Sequence, residues 1–435
     1  MDRRSFLTAT TTIGMPVVAG CLNQSQETDD GDKTPPLTDS QTDESPLTDS
    51  ETDEPTETEN DDSVLWVSAE DGDDSQGVAT KESPLASIQA AIEKAEAGDT
   101  IEVMPGEYTH RLKTVGTGEP DNPITVTGPP EAVIRPTGLT GACVWIRHSH
   151  FHLRGLTLDG LIDPDRKFKT KDAYVNNLVA LDRGDNFEDG VEYLQNIVVE
   201  PHRAGYSQGS LFELNRVRNA SFGNFKLIGP PGMQVDPRVD DHREGHAREI
   251  FYCGVSAGDI YDDYYPWDDL DRSQNIRIHH VDNSAGYPHS ELVDIKVGCS
   301  NITVEYCTDR GAGEQLDGIS AGAISPKGNE CTIRWNDLGD CSVPIEFDPY
   351  SPLDEFDVST WAQDNEIYGN YLHDYTKFAI SFQGTGSGWK PSPEDQRVFC
   401  GNRIEGPDAD DYAYATGECG ADVPTTDEIG HTGGR

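Results

Sequence analysis

Beyond residue 63 the chain is a series of short apolar and polar alternations, each closed by a turn signal. The clearest is Glu291-Leu-Val-Asp-Ile-Lys-Val-Gly-Cys-Ser-Asn-Ile-Thr-Val-Glu-Tyr-Cys307, where two β-runs, 292–297 and 302–306, flank the turn at 298–301. Strand side chains alternate between faces. Val293 and Ile295 therefore point one way, and Leu292, Asp294 and Lys296 the other. With the apolar pair against a core, a carboxylate and an ammonium stand together outside. Related units begin at Phe151, Arg218, Gln274, Ser300, Glu330, Asn365 and Arg397, several ending in a polar residue or Asn. The later ones align at spacings of 26, 29, 34 and 32 residues, near one coil of a solenoid. One unit cannot bury its apolar face alone, and stacking makes a continuous core. An antiparallel sandwich is the competing fold, but the two-residue hairpin turns it needs are missing. The pattern predicts an all-β solenoid.

Folded structure is expected to start near Val64. Ser83 and Pro84 read as a helix start, followed by Leu85, Ile88, Ala91, Ile92 and Ala95 at helical spacing, with Gly98 closing the helix. A strand and tight turn follow over 99–108. This block, with Pro120-Asp-Asn-Pro-Ile-Thr-Val126, resembles the start of a right-handed parallel β-helix of the pectate-lyase-like superfamily. The resemblance implies that the helix plugs the open end of the coil. Residues 63–407 are assigned to this domain. Two insertions are expected, at 159–190 and 260–271, and an irregular tail at 408–435.

The formal charge is −46, which offers no basic footprint to nucleic acid or anionic lipid. Such acidity is typical of proteins working in concentrated salt, which screens self-repulsion. Residues 24–62 hold 15 Asp and Glu against one Lys and almost no apolar residue, so they read as a disordered spacer. In residues 1–23, Arg3-Arg4-Ser-Phe-Leu resembles a twin-arginine export signal. Val17-Val-Ala-Gly-Cys21 resembles a lipobox. Together they look like an exported lipoprotein of haloarchaeal type, held on the outer face of the membrane by lipid at Cys21. A single acyl chain anchors weakly, so a second is expected. The folded part is expected to act as a monomer.

Setting Cys21 aside leaves eight cysteines, an even number that suits disulfides in an exported chain. Cys400 and Cys419 could staple the last coil. Several of Cys299, Cys307, Cys331 and Cys341 read instead as small buried hydrophobes stacked in the coil. No Cys or His grouping has zinc spacing.

Chemistry concentrates at His289, Glu291, Asp294, Lys296 and Arg310. Abstracting the C5 proton of a uronic acid needs a base, and a Lys with a tuned pKa can serve. The sugar carboxylate must also be neutralised, by Ca²⁺ on carboxylates or by an Arg. The run from Glu291 to Gly298 resembles a coil of β-helix lyases that use Lys as base. The resemblance implies Lys296 and His289 in catalysis, Arg310 as carboxylate clamp or second base, and Glu291 and Asp294 as Ca²⁺ ligands or Lys orienters. The run 260–271 mixes aromatics with Asp; Tyr261, Tyr264, Tyr265 and Trp267 suit sugar stacking. Counting forward, Lys296 falls near Ser325 and then Glu346, which could extend a groove, with Asp348 and Asp317 close by. The function expected is cleavage of an acidic polysaccharide by β-elimination. The alternative is a non-catalytic carbohydrate-binding or surface β-helix. An epimerase, from the partial echo Tyr287-Pro-His-Ser290, or a glycosidase, from Asp240-Asp241, carries less support. A surface Asp–Lys pair with no role remains the plain alternative at 294 and 296, since such pairs contribute about 0–1 kcal/mol.

Overall fold

Gln274 lies opposite Ser300, Thr303 opposite Thr332, Thr332 opposite Glu366, and Glu366 opposite Val398. These are the spacings of 26, 29, 34 and 32 residues read from the sequence, and all four pairings are parallel. The computed structural model describes residues 63–138, 141–167, 171–181, 192–232, 248–256, 269–312, 322–348, 361–383 and 390–423. The export signal with Cys21, the acidic spacer and Asp317 lie outside them.

Among the described residues, strands stack into a 19-stranded and a nine-stranded sheet. The larger holds two lines of strands, merged where Val217–Leu227 and Gln274–Asn283 run long. The smaller takes one strand per coil, from Leu112–Lys113 to Ile380–Phe382. Inward residues form files along the coil. Ile101, Val126, Leu153, Val199, Phe222, Ile278, Val304 and Ile333 face one another in succession. Val144, Val179, Phe212, Phe251, Val293, Ile324, Ile345 and Ile380 do the same from the smaller sheet. Both files are buried in one core that runs along the stack. Buried parallel strands favour such β-branched and aromatic residues. Val293 and Ile295 are wholly buried, as the alternation requires.

Turn residues stack as well. Asn219, Asn275 and Asn301 hold positive φ of 54°, 57° and 52°, a region that Asn tolerates better than most residues. Their amides bond from coil to coil at 2.8 and 2.6 Å. At another corner Asn336, Asn370 and Asn402 are buried, with amide bonds of 3.0 and 2.9 Å between neighbours. These are the Asn residues that close the sequence units.

Several boundaries differ from expectation. The helix is Ile88–Lys94, capped by Ser87, whose Oγ accepts from Ala90 N. It starts later than Ser83 because Leu85 pairs its N–H and C=O with Trp66 and Ser68. It ends before Gly98, which serves the turn into Thr100–Val103 at φ 94°. Ile88, Ala91 and Ile92 cover the first coil. Val179–Leu181, inside the expected insertion 159–190, is a strand of the smaller sheet paired on both sides. The segment after 407 carries a 3-10 turn, Ala409–Tyr412, and a short helix, Ala413–Thr416. Tyr412 and Ala415 are buried there, and Cys400–Cys419 forms a disulfide. Cys143, Cys253, Cys299, Cys307, Cys331 and Cys341 are all buried. Burial pushes the thiols of Cys307 and Cys331 up to about 12, so they act as packing groups.

Candidate active site on the nine-stranded sheet

The outward side of the smaller sheet carries a row set by register. Glu213 pairs with Tyr252, Tyr252 with Asp294, and Asp294 with Ser325. Ile324 pairs with Ile345, so Glu346 follows Ser325, and Ser381 follows Glu346. Glu249 and Glu291 each stand two residues before the paired Phe251 and Val293, and are therefore level. Lys327 N donates to Ile295 O at 3.0 Å, which puts Lys327 one coil on from Lys296. Three sequence-distant segments thus bring three carboxylates and two ammonium groups to one place.

Asp294 is the centre. Lys296 Nζ is 2.5 Å from Asp294 Oδ2, and Lys327 Nζ is 2.8 Å from Oδ1. The second contact is a close ion pair outside good hydrogen-bond geometry, so buried Oδ1 accepts no directed bond. Lys327 also lies 4.0 Å from Glu291 Oε1. Ser290 Oγ donates to Glu291 Oε2, and Ser210 Oγ donates to Glu249 Oε2 at 2.7 Å. Lys296 Nζ sits 4.3 Å over the Tyr252 ring. Asp294 is 1% exposed, while the lysine side chains keep 14% and 12%. The two lysine side chains thus keep a little contact with solvent, and the carboxylate anchors them.

Burial decides protonation. It pushes the Glu291 carboxyl up to about 8, helped by the charge on Asp294. Burial alone would raise Asp294 too, but Lys296 and Lys327 outweigh it and hold the group below its ordinary value. Burial works against charge on Lys296, and Asp294 and Glu249 overcome it, raising the lysine to about 12. Lys327 shifts upward by the same balance. Lys296 thus holds its proton at neutral pH, contrary to the free base implied by resemblance. Burial also raises Glu346, whose Oε1 accepts from Gln383 Nε2.

Glu249, Glu291 and Asp294 offer oxygens within 4.8 Å of one another. An all-carboxylate donor set suits a hard cation such as Ca²⁺.

The structure does not gather every expected residue. His289 is buried inside the coil; its Nδ1 donates to Tyr287 O at 2.9 Å and its Nε2 faces Asp309 Oδ2 at 3.2 Å. Burial opposes its charge, but Asp309 prevails and raises its pKa. Arg310 belongs to the larger sheet, in Thr308–Arg310. Its guanidinium bonds Asp337 Oδ1 at 2.8 Å and the carbonyls of Asp309 and Asp337. Neither residue joins the cluster, because each lies on a part of the coil that faces elsewhere. Tyr261, Tyr264, Tyr265 and Trp267 lie outside the described residues. Glu346 does lie in the outward row.

The count forward from Lys296 was two residues off: Ser325 pairs with Asp294, so Lys327 stands level with Lys296. Lys327, Glu249 and Tyr252 were missed. A signal existed in Glu249-Ile-Phe-Tyr-Cys253, which parallels Glu291-Leu-Val-Asp-Ile295 position by position.

Fold and cluster together define a parallel β-helix with a charged site on one sheet. No protein-family model matches the chain, and no curated protein does. Among solved structures, an alginate lyase from Paenibacillus sp. str. FPU-7 superposes with TM-score 0.50 at 16% identity, covering 73% of this chain and 92% of that one. The pectate lyase Pel9A gives 0.49 at 13% identity, over 79% and 77%. The first likeness shows the fold, a right-handed parallel β-helix, and no more. Among the described residues no helix is long and apolar enough to cross a membrane.

Proposed function

We propose that the chain is an exported, lipid-anchored β-helix enzyme that cleaves a uronate-containing polysaccharide by β-elimination. The observation that carries this reading is the buried Asp294 held between two ammonium groups, with Glu249 and Glu291 beside it. Export and anchoring rest on Arg3-Arg4 and Cys21 alone. The fold shared with an alginate lyase is compatible with it.

Lys296 and Lys327 set positive charge where a sugar carboxylate can dock, which lowers the cost of negative charge developing at C5. Glu291, with its pKa near 8, is the group tuned to accept the C5 proton. The electron pair left at C5 forms the C4–C5 double bond as the C4–O bond breaks. Lys296, protonated, can donate to the departing oxygen. Glu249, Glu291 and Asp294 are also the residues that would hold Ca²⁺, which when bound supplies charge neutralisation for the sugar carboxylate.

The high pKa of Lys296 and Lys327 also favours a second reading, in which the site binds acidic sugar without turnover. The test is ultraviolet absorbance of unsaturated product on a panel of polyuronates, in high salt, with EDTA or with Ca²⁺. Activity in EDTA that rises toward pH 8 supports Glu291 as acceptor. Strict Ca²⁺ dependence makes Glu291 a ligand and returns the acceptor role to Lys296. Product formation unchanged in Lys296→Ala removes Lys296 from the catalytic assignment, and no product from wild type on any polyuronate removes the enzymatic reading.

A further inference from the structure

The outward row that holds Asp294 continues toward the N-terminal end of the sheet. Tyr252 pairs with Glu213, Glu213 with Ala180, Ala180 with Trp145, and Trp145 with Lys113. Trp145 is therefore four strands from Asp294, roughly 19 Å at a strand spacing of about 4.8 Å. Two cations attend its ring: Lys113 Nζ at 5.4 Å and the Arg147 guanidinium at 4.7 Å. Lys113 is exposed, Trp145 half-buried and Arg147 buried. The indole N–H is buried and makes no hydrogen bond among the described residues, although a buried Trp usually finds a partner.

This concentration of positive charge stands out in a chain with 33 Lys and Arg against 79 Asp and Glu. Ala180 between the two ends leaves a low floor. Glu213 also lies between them, with Asn215 Nδ2 donating to its Oε1 at 3.3 Å.

We propose that Lys113, Trp145 and Arg147 form a distal subsite that takes an acidic sugar unit, by stacking on the indole and pairing its carboxylate with exposed Lys113, while buried Arg147 braces the ring. It rests on the polysaccharide reading of the Asp294 centre and adds a length requirement. A pyranose unit is comparable in length to the strand spacing, so a chain must run about four or five units to reach both ends.

The experiment is calorimetric titration, at one fixed salt concentration, of the full chain with di- and hexa-uronates from polygalacturonate and from alginate. A neutral cello-hexaose serves as control. Wild type is expected to bind one hexa-uronate more tightly than its dimer and to ignore the neutral chain. Trp145→Ala should weaken hexamer binding roughly tenfold, the scale of one stacking and cation contact, and leave the dimer unchanged. Lys113→Gln, at an exposed position, should weaken the hexamer in the same direction and covers the case in which Trp145→Ala does not fold. Hexamer binding unchanged in both variants but lost in Lys296→Ala overturns the subsite and spares the Asp294 centre. Loss in Trp145→Ala and Lys113→Gln, with no product from wild type in the absorbance assay, keeps the subsite and sinks the catalytic reading. Equal binding of the neutral hexamer, or no binding by wild type, overturns the subsite.

Discussion

Asp294 shows how burial changes a residue that is common on surfaces. An exposed Asp–Lys pair contributes about 0–1 kcal/mol, but this carboxylate is buried between two ammonium groups. Removing one partner of a buried pair leaves a charge uncompensated, at a cost of about 3–5 kcal/mol. Lys327→Ala should lower stability by about that amount, read by denaturant unfolding, and Asp294→Asn in the same chain should recover part of it. Glu291 sets a pH dependence. Its folded pKa near 8 exceeds the ordinary 4.5, so the folded state holds that proton more tightly. The stabilisation is fully present below the ordinary value and is lost as pH rises toward about 8. Melting temperature in EDTA should fall between pH 6 and 8, and Glu291→Gln should flatten the fall. A cation on the three carboxylates must displace the same proton. Added Ca²⁺ should therefore raise the melting temperature more at pH 9 than at pH 6, with measurable proton release; no Ca²⁺ effect at either pH excludes the metal.

At the scale of the element, the coil is held by corners as well as by faces. Asn370 bonds Asn336 on one side and Asn402 on the other, while its Nδ2 reaches Ile333 O at 2.9 Å. Asn370→Ala strands buried groups in both neighbouring coils, which costs about 1–3 kcal/mol for each group left unpaired. The loss should exceed that from Asn301→Ala, whose exposed corner is open to water. Equal losses by chemical denaturation would count against the ladder as a structural device. The N-terminal helix has only two turns and depends on its cap. Ser87 accepts from Ala90 N and donates to Asp74 Oδ2 at 2.8 Å. Ser87→Ala should cost about 1 kcal/mol.

For the molecule as a whole, charge and topology govern stability. With a net charge of −46, self-repulsion weakens as salt shortens the Debye length to about 3 Å at 1 M. Melting temperature should climb steeply with added salt. Stacked coils contact only their neighbours, so damage stays local at first. Reducing Cys400–Cys419 should loosen the segment after residue 400 before the central coils, as seen by hydrogen exchange; uniform loss of protection would contradict this.

The sequence by itself determined the coil, its length and inward residues such as Val293 and Ile295, because strand alternation is local geometry, though Leu292, which alternation places outward, is buried in the core. It also marked Asp294 and Lys296 as outward, and Cys400 with Cys419 as a staple. It left Lys327 and Glu249 unseen and put Arg310 and His289 in the wrong company. Coil lengths vary with their loops, so which residues of successive coils lie level depends on backbone pairing across the stack. Only the tertiary structure decided that Asp294 would be buried between two lysines. Asp294 and Glu249 in turn held the proton on Lys296 against burial, and burial pushed Glu291 toward 8, since the cost of charge depends on surroundings that no single strand contains.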